Sequence, residues 1–295
     1  MPPPRALTTY TTSLQAFHKK LLASQRILAV CGAGLSAASG LPTFRGSAGA
    51  LWRTHKATDL ATPEAFRADP GLVWSFYAQR RRAALRAEPN RGHLALAALG
   101  RWAVASAAEG REGRREFLCL SQNVDDLHSR ASHPPSTLRL LHGSLFSLKC
   151  ASQTCTWTEQ NNTLDPLCAA LVDPTSQTTQ HIPPSALPTC PQCKTSLQRP
   201  GVVWFGEQLD ASMLAEIDDW IARDEVDIVL VIGTSSAVYP AAGFAEQARG
   251  RGRKTSVVTV NLDAGVRGMK EGDFAFAGDA AVLLPLLLGP VIGEV

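Results

Sequence analysis

No run of about 18 apolar residues occurs in the 295-residue chain, so no membrane-spanning helix is expected. The tail 281–292 (AVLLPLLLGPVI) is apolar, but it is short, carries Pro285 and Pro290, and reads as core. No apolar signal segment follows Met1, and the seven cysteines are an odd number, which together argue against an extracellular disulfide scaffold. No acidic residue precedes Asp59. Neither charge dominates: 29 Lys+Arg face 26 Asp+Glu, and a net charge of +3 does not by itself predict nucleic-acid binding. Neither a membrane nor a nucleic acid is therefore expected as a partner. No internal repeat is visible. With 45% hydrophobic and 19% charged residues, wholesale disorder is excluded. The length suits two domains, or one large and one small.

Several short apolar runs end in small or polar residues: RILAVCGAGLS (26–36), FLCLSQN (117–123), DIVLVIGTS (227–235) and TSVVTVNLD (255–263). Each reads as a buried strand, and helical stretches such as 13–25, 211–223 and 241–249 separate them. The pattern predicts an α/β fold with a doubly wound, parallel, Rossmann-like sheet. A ligand belongs at the carboxyl ends of such strands, where GAGLS, QNVDD, GTSS and NLD fall. Two segments break the alternation. Residues 46–92 look helical, and 147–199 are rich in Thr, Ser, Pro and Gln with too few apolar residues for a core of their own. The expected division is 13–45, 93–146 and 200–295 as the large domain. The 46–92 and 147–199 insertions would form the small one, with 1–12 a flexible leader.

Gly32-Ala33-Gly34 follows the first strand, and with Ala37 fits the small-residue form of a dinucleotide-binding turn. The acidic residue expected some 20 positions later is missing, so this is not an ordinary hydride-transfer domain. Four of the cysteines form two pairs, Cys150-x4-Cys155 and Cys190-x2-Cys193. Four thiolates suit a closed, structural Zn²⁺ site, one ion per chain, which would staple the 147–199 segment as a zinc ribbon. Cys31, Cys119 and Cys168 are scattered; Cys168 lies between the pairs and reads as a packing residue.

GAGLSAASGLPTFRG (32–46), QNVDDLH (122–128), LHGS (141–144), VVWFGE (202–207), GTSSAVYPAA (233–242) and VNLD (260–263) occur in this order. Together they resemble the sirtuin family of NAD-dependent protein-lysine deacylases, from about residue 14 onward. The resemblance implies NAD as co-substrate. Gly32, Ala33, Gly34 and Ser36 would hold its diphosphate, and Phe44 and Arg45 would cover the nicotinamide ribose. Gln122, Asn123 and Asp125 would line the nicotinamide end. Gly233, Thr234, Ser235, Asn261, Asp263 and Ala280 would meet the phosphate and adenosine end; family members often carry Glu where this chain has Asp263. His142 in LHGS is the implied general base, since imidazole titrates near neutral pH. His128 reads as structural.

Tyr77 and Arg80 stand three apart on an expected helix and share a face. An isolated basic run of this kind, with Arg81 and Arg82 next, is usually a solvated face. Within sirtuins, FYAQR (76–80) is similar to the class III branch, the desuccinylases and demalonylases, in which a Tyr-x-x-Arg pair reads the distal carboxylate of an acidic acyl-lysine. Ala57 and Ala61 would leave room at the pocket floor. An Arg fork and a Tyr hydroxyl suit a carboxylate; an acetyl group offers none. The acylated lysine of a protein substrate would lie along Val203, Trp204, Phe205, Gly206 and Glu207 by strand addition.

The implied reaction begins as the acyl oxygen attacks the ribose carbon and nicotinamide departs. His142 then activates a ribose hydroxyl, and the products are lysine, nicotinamide and O-acyl-ADP-ribose. Succinyl and malonyl, and by extension glutaryl, are the expected acyl groups, with weak deacetylation. A general deacetylase, a mono-ADP-ribosyltransferase and a non-catalytic NAD-sensing module remain alternatives. Mitochondrial, cytosolic and nuclear locations all stay open.

Overall fold

A computed structural model describes residues 7–43, 56–108, 115–172, 181–234, 243–250, 254–263 and 269–295. In chain order it opens with α1 (Leu7–Ala23), β1 (Arg26–Cys31), α2 (Ala57–Leu60), α3 (Pro63–Ala68), α4 (Pro70–Arg86) and α5 (Arg91–Ala108). Then come β2 (Glu116–Ser121), α6 (Leu127–Arg130), β3 (Leu138–Leu140), β4 (Gly143–Cys150), β5 (Thr158–Glu159) and β6 (Gln198–Val202). It closes with α7 (Ala211–Arg223), β7 (Ile228–Ile232), α8 (Phe244–Arg249), β8 (Ser256–Asn261), β9 (Phe274–Ala277) and α9 (Ala280–Ile292). Helix α1 starts at Leu7, inside the 1–12 segment.

The large sheet has the order β3-β2-β1-β7-β8-β9, and every pairing in it is parallel. Strand β1 shows why its sequence is a continuous apolar run. Ile27, Ala29 and Cys31 enter one core, Leu28 and Val30 the other, because successive side chains alternate across a strand. Both faces are covered, so neither needs polar residues. Phe17 and Leu21 of α1, Leu96 and Leu99 of α5, and Leu284, Leu287 and Leu288 of α9 fill the first core. Ile217 and Ile221 of α7 with Phe244 and Ala248 of α8 fill the second. The 281–292 tail is thus core on one face only; Val282 and Leu286 face solvent.

The chain runs outward from β1 through β2 to β3, then returns to β7 on the other side of β1 and runs outward again. The reversal between β1 and β7 is the switch point at which a doubly wound sheet opens a ligand crevice.

A second, antiparallel sheet, β5-β4-β6, belongs to the small domain. Strand β4 begins at Gly143, so it runs across the junction expected after residue 146. The two insertions share one core, in which Trp74, Phe76 and Tyr77 of α4 pack with Phe146 and Leu148 of β4, Val202 and Trp204. Arg81 and Arg82 are buried, not on a solvated face. Arg81 donates to the carbonyls of Leu145, Asn162 and Leu164, and Arg82 to the Asp165 carboxylate and the Leu171 carbonyl. Both thereby tie α4 to the cysteine-bearing segment, giving its carbonyls donors that its sparse apolar residues could not replace.

Candidate functional site

The glycine turn after β1 opens a 3-10 helix, Ala33–Ser39. Its glycines answer a packing need. A Cβ on Gly32 would lie 2.7 Å from the Thr234 Cβ, and one on Gly34 2.7 Å from the Gly233 Cα. The Gly34 amide donates to the Gly233 carbonyl at 2.8 Å, and Gly233 itself has φ +57. The ends of β1 and β7 can therefore close on each other only where neither carries a side chain. Gly34 and Gly233 are half-buried at that seam, at the carboxyl ends of β1 and β7, where such a sheet takes its ligand.

Polar side chains converge beside it. Ser36 donates to Asp125 Oδ2 at 2.7 Å, and Asn123 Nδ2 donates to the Gly32 carbonyl at 3.0 Å and to Ser36 Oγ at 3.2 Å. Ser36, expected at the diphosphate, thus reaches toward the end of β2. Asp125 also accepts from the Leu127 amide at 3.0 Å, yet burial pushes its carboxyl above the usual range. Gln122 donates to Thr234 Oγ1 at 3.2 Å, and Asn261 donates to the Thr234 carbonyl at 3.2 Å. Gln122, Asn123, Asp125, Gly233, Thr234 and Asn261 therefore do form one constellation. Asp263 lies beyond the end of β8 and is exposed. Ala280 is buried in the core at the start of α9. Phe44, Arg45 and Ser235 lie outside the described residues.

His142 precedes β4 where the two sheets meet. Its Nδ1 sits 3.0 Å from the Gln122 carbonyl, an acceptor that fixes Nδ1 as the donor and leaves the Nε2 lone pair available. Burial pulls the imidazole below its ordinary value, so it is neutral at neutral pH and can accept a proton. The His142 carbonyl takes the Val203 amide at 2.9 Å, which links His142 to the 203–207 segment.

That segment divides. Phe205 and Gly206 are exposed and Val203 is half-buried, but Trp204 is buried. The Phe205 amide donates to the Ala61 carbonyl at 2.9 Å, so the expected pocket floor and the expected peptide-binding segment are joined. Ala57 is half-buried beside the same core. Glu207 turns back to accept from the Trp204 amide at 2.9 Å and from Arg199 Nη2 at 2.9 Å. The Arg199 guanidinium lies 3.3 Å over the Trp204 ring. Trp204 Nε1 in turn donates to Tyr77 Oη at 2.9 Å. Burial drives the Tyr77 hydroxyl up to about 12, so it stays protonated. Arg80 lies over the Phe76 ring at 5.4 Å; burial lowers its value while Tyr77 and Asp125 raise it.

Sequence reasoning missed Asn90, His93 and Arg199. Asn90 accepts from the Gly92 amide at 2.9 Å at the start of α5 and donates to the Leu35 carbonyl at 2.8 Å, holding the glycine turn. His93 Nε2 is 3.4 Å from Ser36 Oγ, and burial brings its imidazole down to about 4. An Asn ahead of a helical run is a start signal that could have flagged the first. Nothing in the local pattern marks Arg199.

Cys150, Cys155, Cys190 and Cys193 come together as expected: their sulfurs all lie within 4.8 Å of one another. Cys150 and Cys193 are 3.7 Å apart, Cys155 and Cys190 3.8 Å. A tetrahedral Zn²⁺ with Zn–S bonds of about 2.3 Å needs sulfurs about 3.8 Å apart, so the four fit a structural zinc ion.

The Sir2 family model matches residues 32–240. The chain belongs to the Sir2 family. An NAD-dependent protein deacylase of Candida albicans is 42% identical over 313 residues, covering 96% of this chain and 99% of that protein. The mitochondrial NAD-dependent protein deacylase sirtuin-5 of Canis lupus familiaris is 40% identical, covering 97% and 88%. Among solved structures, a Sir2 homologue–NAD complex superposes with a TM-score of 0.74 at 32% identity, covering 94% of this chain and 93% of that one. A mutant Sir2 homologue in complex with ADP-ribose gives 0.72 at 33%, covering 93% and 94%. This Sir2 protein is an NAD-dependent protein deacylase, and its crevice, with glycine floor and amide-lined wall, suits the dinucleotide.

Proposed function

We propose that this sirtuin removes acidic acyl groups, succinyl and malonyl before acetyl, from lysine side chains of proteins. One observation carries the reading: Tyr77 and Arg80 present a hydroxyl and a guanidinium from one face of α4, with Tyr77 seated in the core that also holds Ala61 and Trp204. Because Tyr77 accepts from Trp204, its own proton remains available for a substrate oxygen. A carboxylate offers acceptors to both donors, and charge assistance makes such bonds the strong ones. The acyl-lysine would enter past Phe205 and Gly206, whose exposure leaves their backbone open to an incoming strand.

Within the reaction, His142 takes the proton of a ribose hydroxyl of NAD at Nε2. Asn123, Asp125 and Ser36, fixed in place by the bonds they make to one another, would line the nicotinamide end. Gln122 serves twice, orienting His142 with its carbonyl and bridging to Thr234 with its amide. The names of several vertebrate relatives carry the word mitochondrial, which supports the same location here. The direct test is nicotinamide release from NAD with matched succinyl-, malonyl-, glutaryl- and acetyl-lysine peptides. Higher kcat/KM for the acidic acyls is expected, and equal turnover of all four would refute the preference.

A further inference from the structure

Two of the cysteines that look scattered in sequence meet beneath the crevice. Cys31 ends β1, Cys119 lies in β2, and their sulfurs are 3.7 Å apart. That is the separation found within the four-cysteine site, where Cys150 and Cys193 are also 3.7 Å apart. The imidazole of His128, on α6, offers a nitrogen to the same spot: the three ligand atoms lie within 4.8 Å of one another. Cys31 and Cys119 are 0% exposed and His128 is 1% exposed. Neither nitrogen of His128 has a hydrogen-bond partner among the described residues.

An imidazole with two orphaned nitrogens in a dry core is costly, because a buried polar group forfeits its water without recompense. The His93 and His133 rings pack against His128 at 5.3 and 5.5 Å, and an ion shared with the two thiols within 4.8 Å would supply a partner for one of those nitrogens. A disulfide does not account for the thiol pair. Cys119 stands level with Ala29 in the strand register, so Cys31 is two residues further along its own strand. With strands about 4.8 Å apart and a rise of about 3.3 Å per residue, the two Cα atoms are roughly 8 Å apart. A disulfide spans at most about 7 Å.

We propose that Cys31, Cys119 and His128 form a second metal site, one that takes a thiophilic d10 cation, Zn²⁺ or Cu⁺. Soft thiolates with one imidazole are the donor set such ions select. Binding would release both thiol protons to solvent and leave neutral imidazole as the third donor. With Zn²⁺, two thiolates make the cluster electrically neutral and a water would complete the tetrahedron; Cu⁺ is content with the three donors present. The ion would lie directly under the nucleotide crevice. Cys31 precedes Gly32, and Asn123 follows four residues after Cys119. The Leu127 amide beside His128 holds Asp125. Occupancy would therefore stiffen the floor from which the nicotinamide-binding residues project.

The test is metal stoichiometry on the full chain, purified without oxygen. The protein is titrated with Zn²⁺ and, in a separate arm, with Cu⁺ against a chromophoric chelator. The wild type is expected to take one ion beyond the four-cysteine site in at least one arm, and the arm that succeeds names the metal. Co²⁺ loading should add a second set of thiolate-to-metal charge-transfer bands. Cys168→Ala should keep the extra ion, whereas Cys31→Ala/Cys119→Val should lose it, and His128→Gln should hold it at least tenfold more weakly. A wild type that saturates at the four-cysteine level in both arms would overturn the site without reference to any variant. An extra ion retained by the folded double variant would overturn the assignment to these residues.

Discussion

Trp204 Nε1 donates a 2.9 Å hydrogen bond to the hydroxyl of Tyr77, and both side chains are buried. The bond settles which way the hydroxyl points: its oxygen is engaged, so its proton faces elsewhere. Trp204 is itself held from two sides, by the Arg199 guanidinium over its ring and by Glu207 on its amide. On the proposed reading, acyl choice depends also on Trp204, Arg199 and Glu207, which fix the Tyr77 hydroxyl.

Trp204→Phe keeps most of the packing and removes the donor. The loss of one such bond, about 1 kcal/mol, should lower kcat/KM for succinyl-lysine by roughly fivefold and acetyl-lysine by less. Tyr77→Phe should produce a loss of similar size. Steady-state kinetics on matched peptides checks both, and equal losses for the two acyls would mean that the bond only supports the fold.

Glu207→Gln leaves Arg199 without its carboxylate. Burying that cation with a weaker partner should lower thermal stability, and the freed guanidinium should disturb Trp204. The expected signature is a lower Tm together with a reduced succinyl-to-acetyl ratio. An unchanged ratio in a destabilised variant would separate the Glu207–Arg199 pair from specificity.

His142→Tyr should abolish deacylation while NAD binding persists, since one proton-transfer group is lost. Burial lowers the pKa of His142, so the base stays neutral as pH falls past the ordinary histidine value. The acidic limb of kcat/KM should accordingly fall below about 6.5. A limb at or above that value would assign the titration to another group.

Cys190→Ser should release zinc and expose the 147–199 segment to protease, because metal binding there supplies folding energy. Metal analysis with limited proteolysis reads both effects. A zinc-free chain whose segment still resists protease would show that the Arg81 and Arg82 clamps suffice alone.

The parallel strands were legible because both faces of β1, β2 and β7 are covered, which writes each as an apolar run, while β8 is buried on alternate residues. Strands β3 and β9 were not. Leu138–Leu140 is three residues at a sheet edge beside the LHGS motif, and Phe274–Ala277 alternates with alanine, too short for either pattern to register. The residues expected at the NAD site stand in motifs that end strands, and the structure brings Gln122, Asn123, Asp125, Thr234 and Asn261 of that set together. Asn90, Arg199, and the meeting of Cys31 with Cys119 were invisible because each depends on contacts between segments far apart in sequence. The burial of Arg81 and Arg82 was invisible for the same reason: the segment that covers them is distant in sequence.

The measurement that bears most directly on the account is the succinyl-to-acetyl ratio of kcat/KM in wild type and Arg80→Met. A charge-assisted bond is worth about 1.5–3 kcal/mol, so succinyl-lysine turnover should fall by roughly 10- to 100-fold or more. Acetyl-lysine, which brings no carboxylate to Arg80, should be turned over as well as before or slightly better. Equal losses on both substrates would make Arg80 a scaffold residue and the protein a general deacetylase.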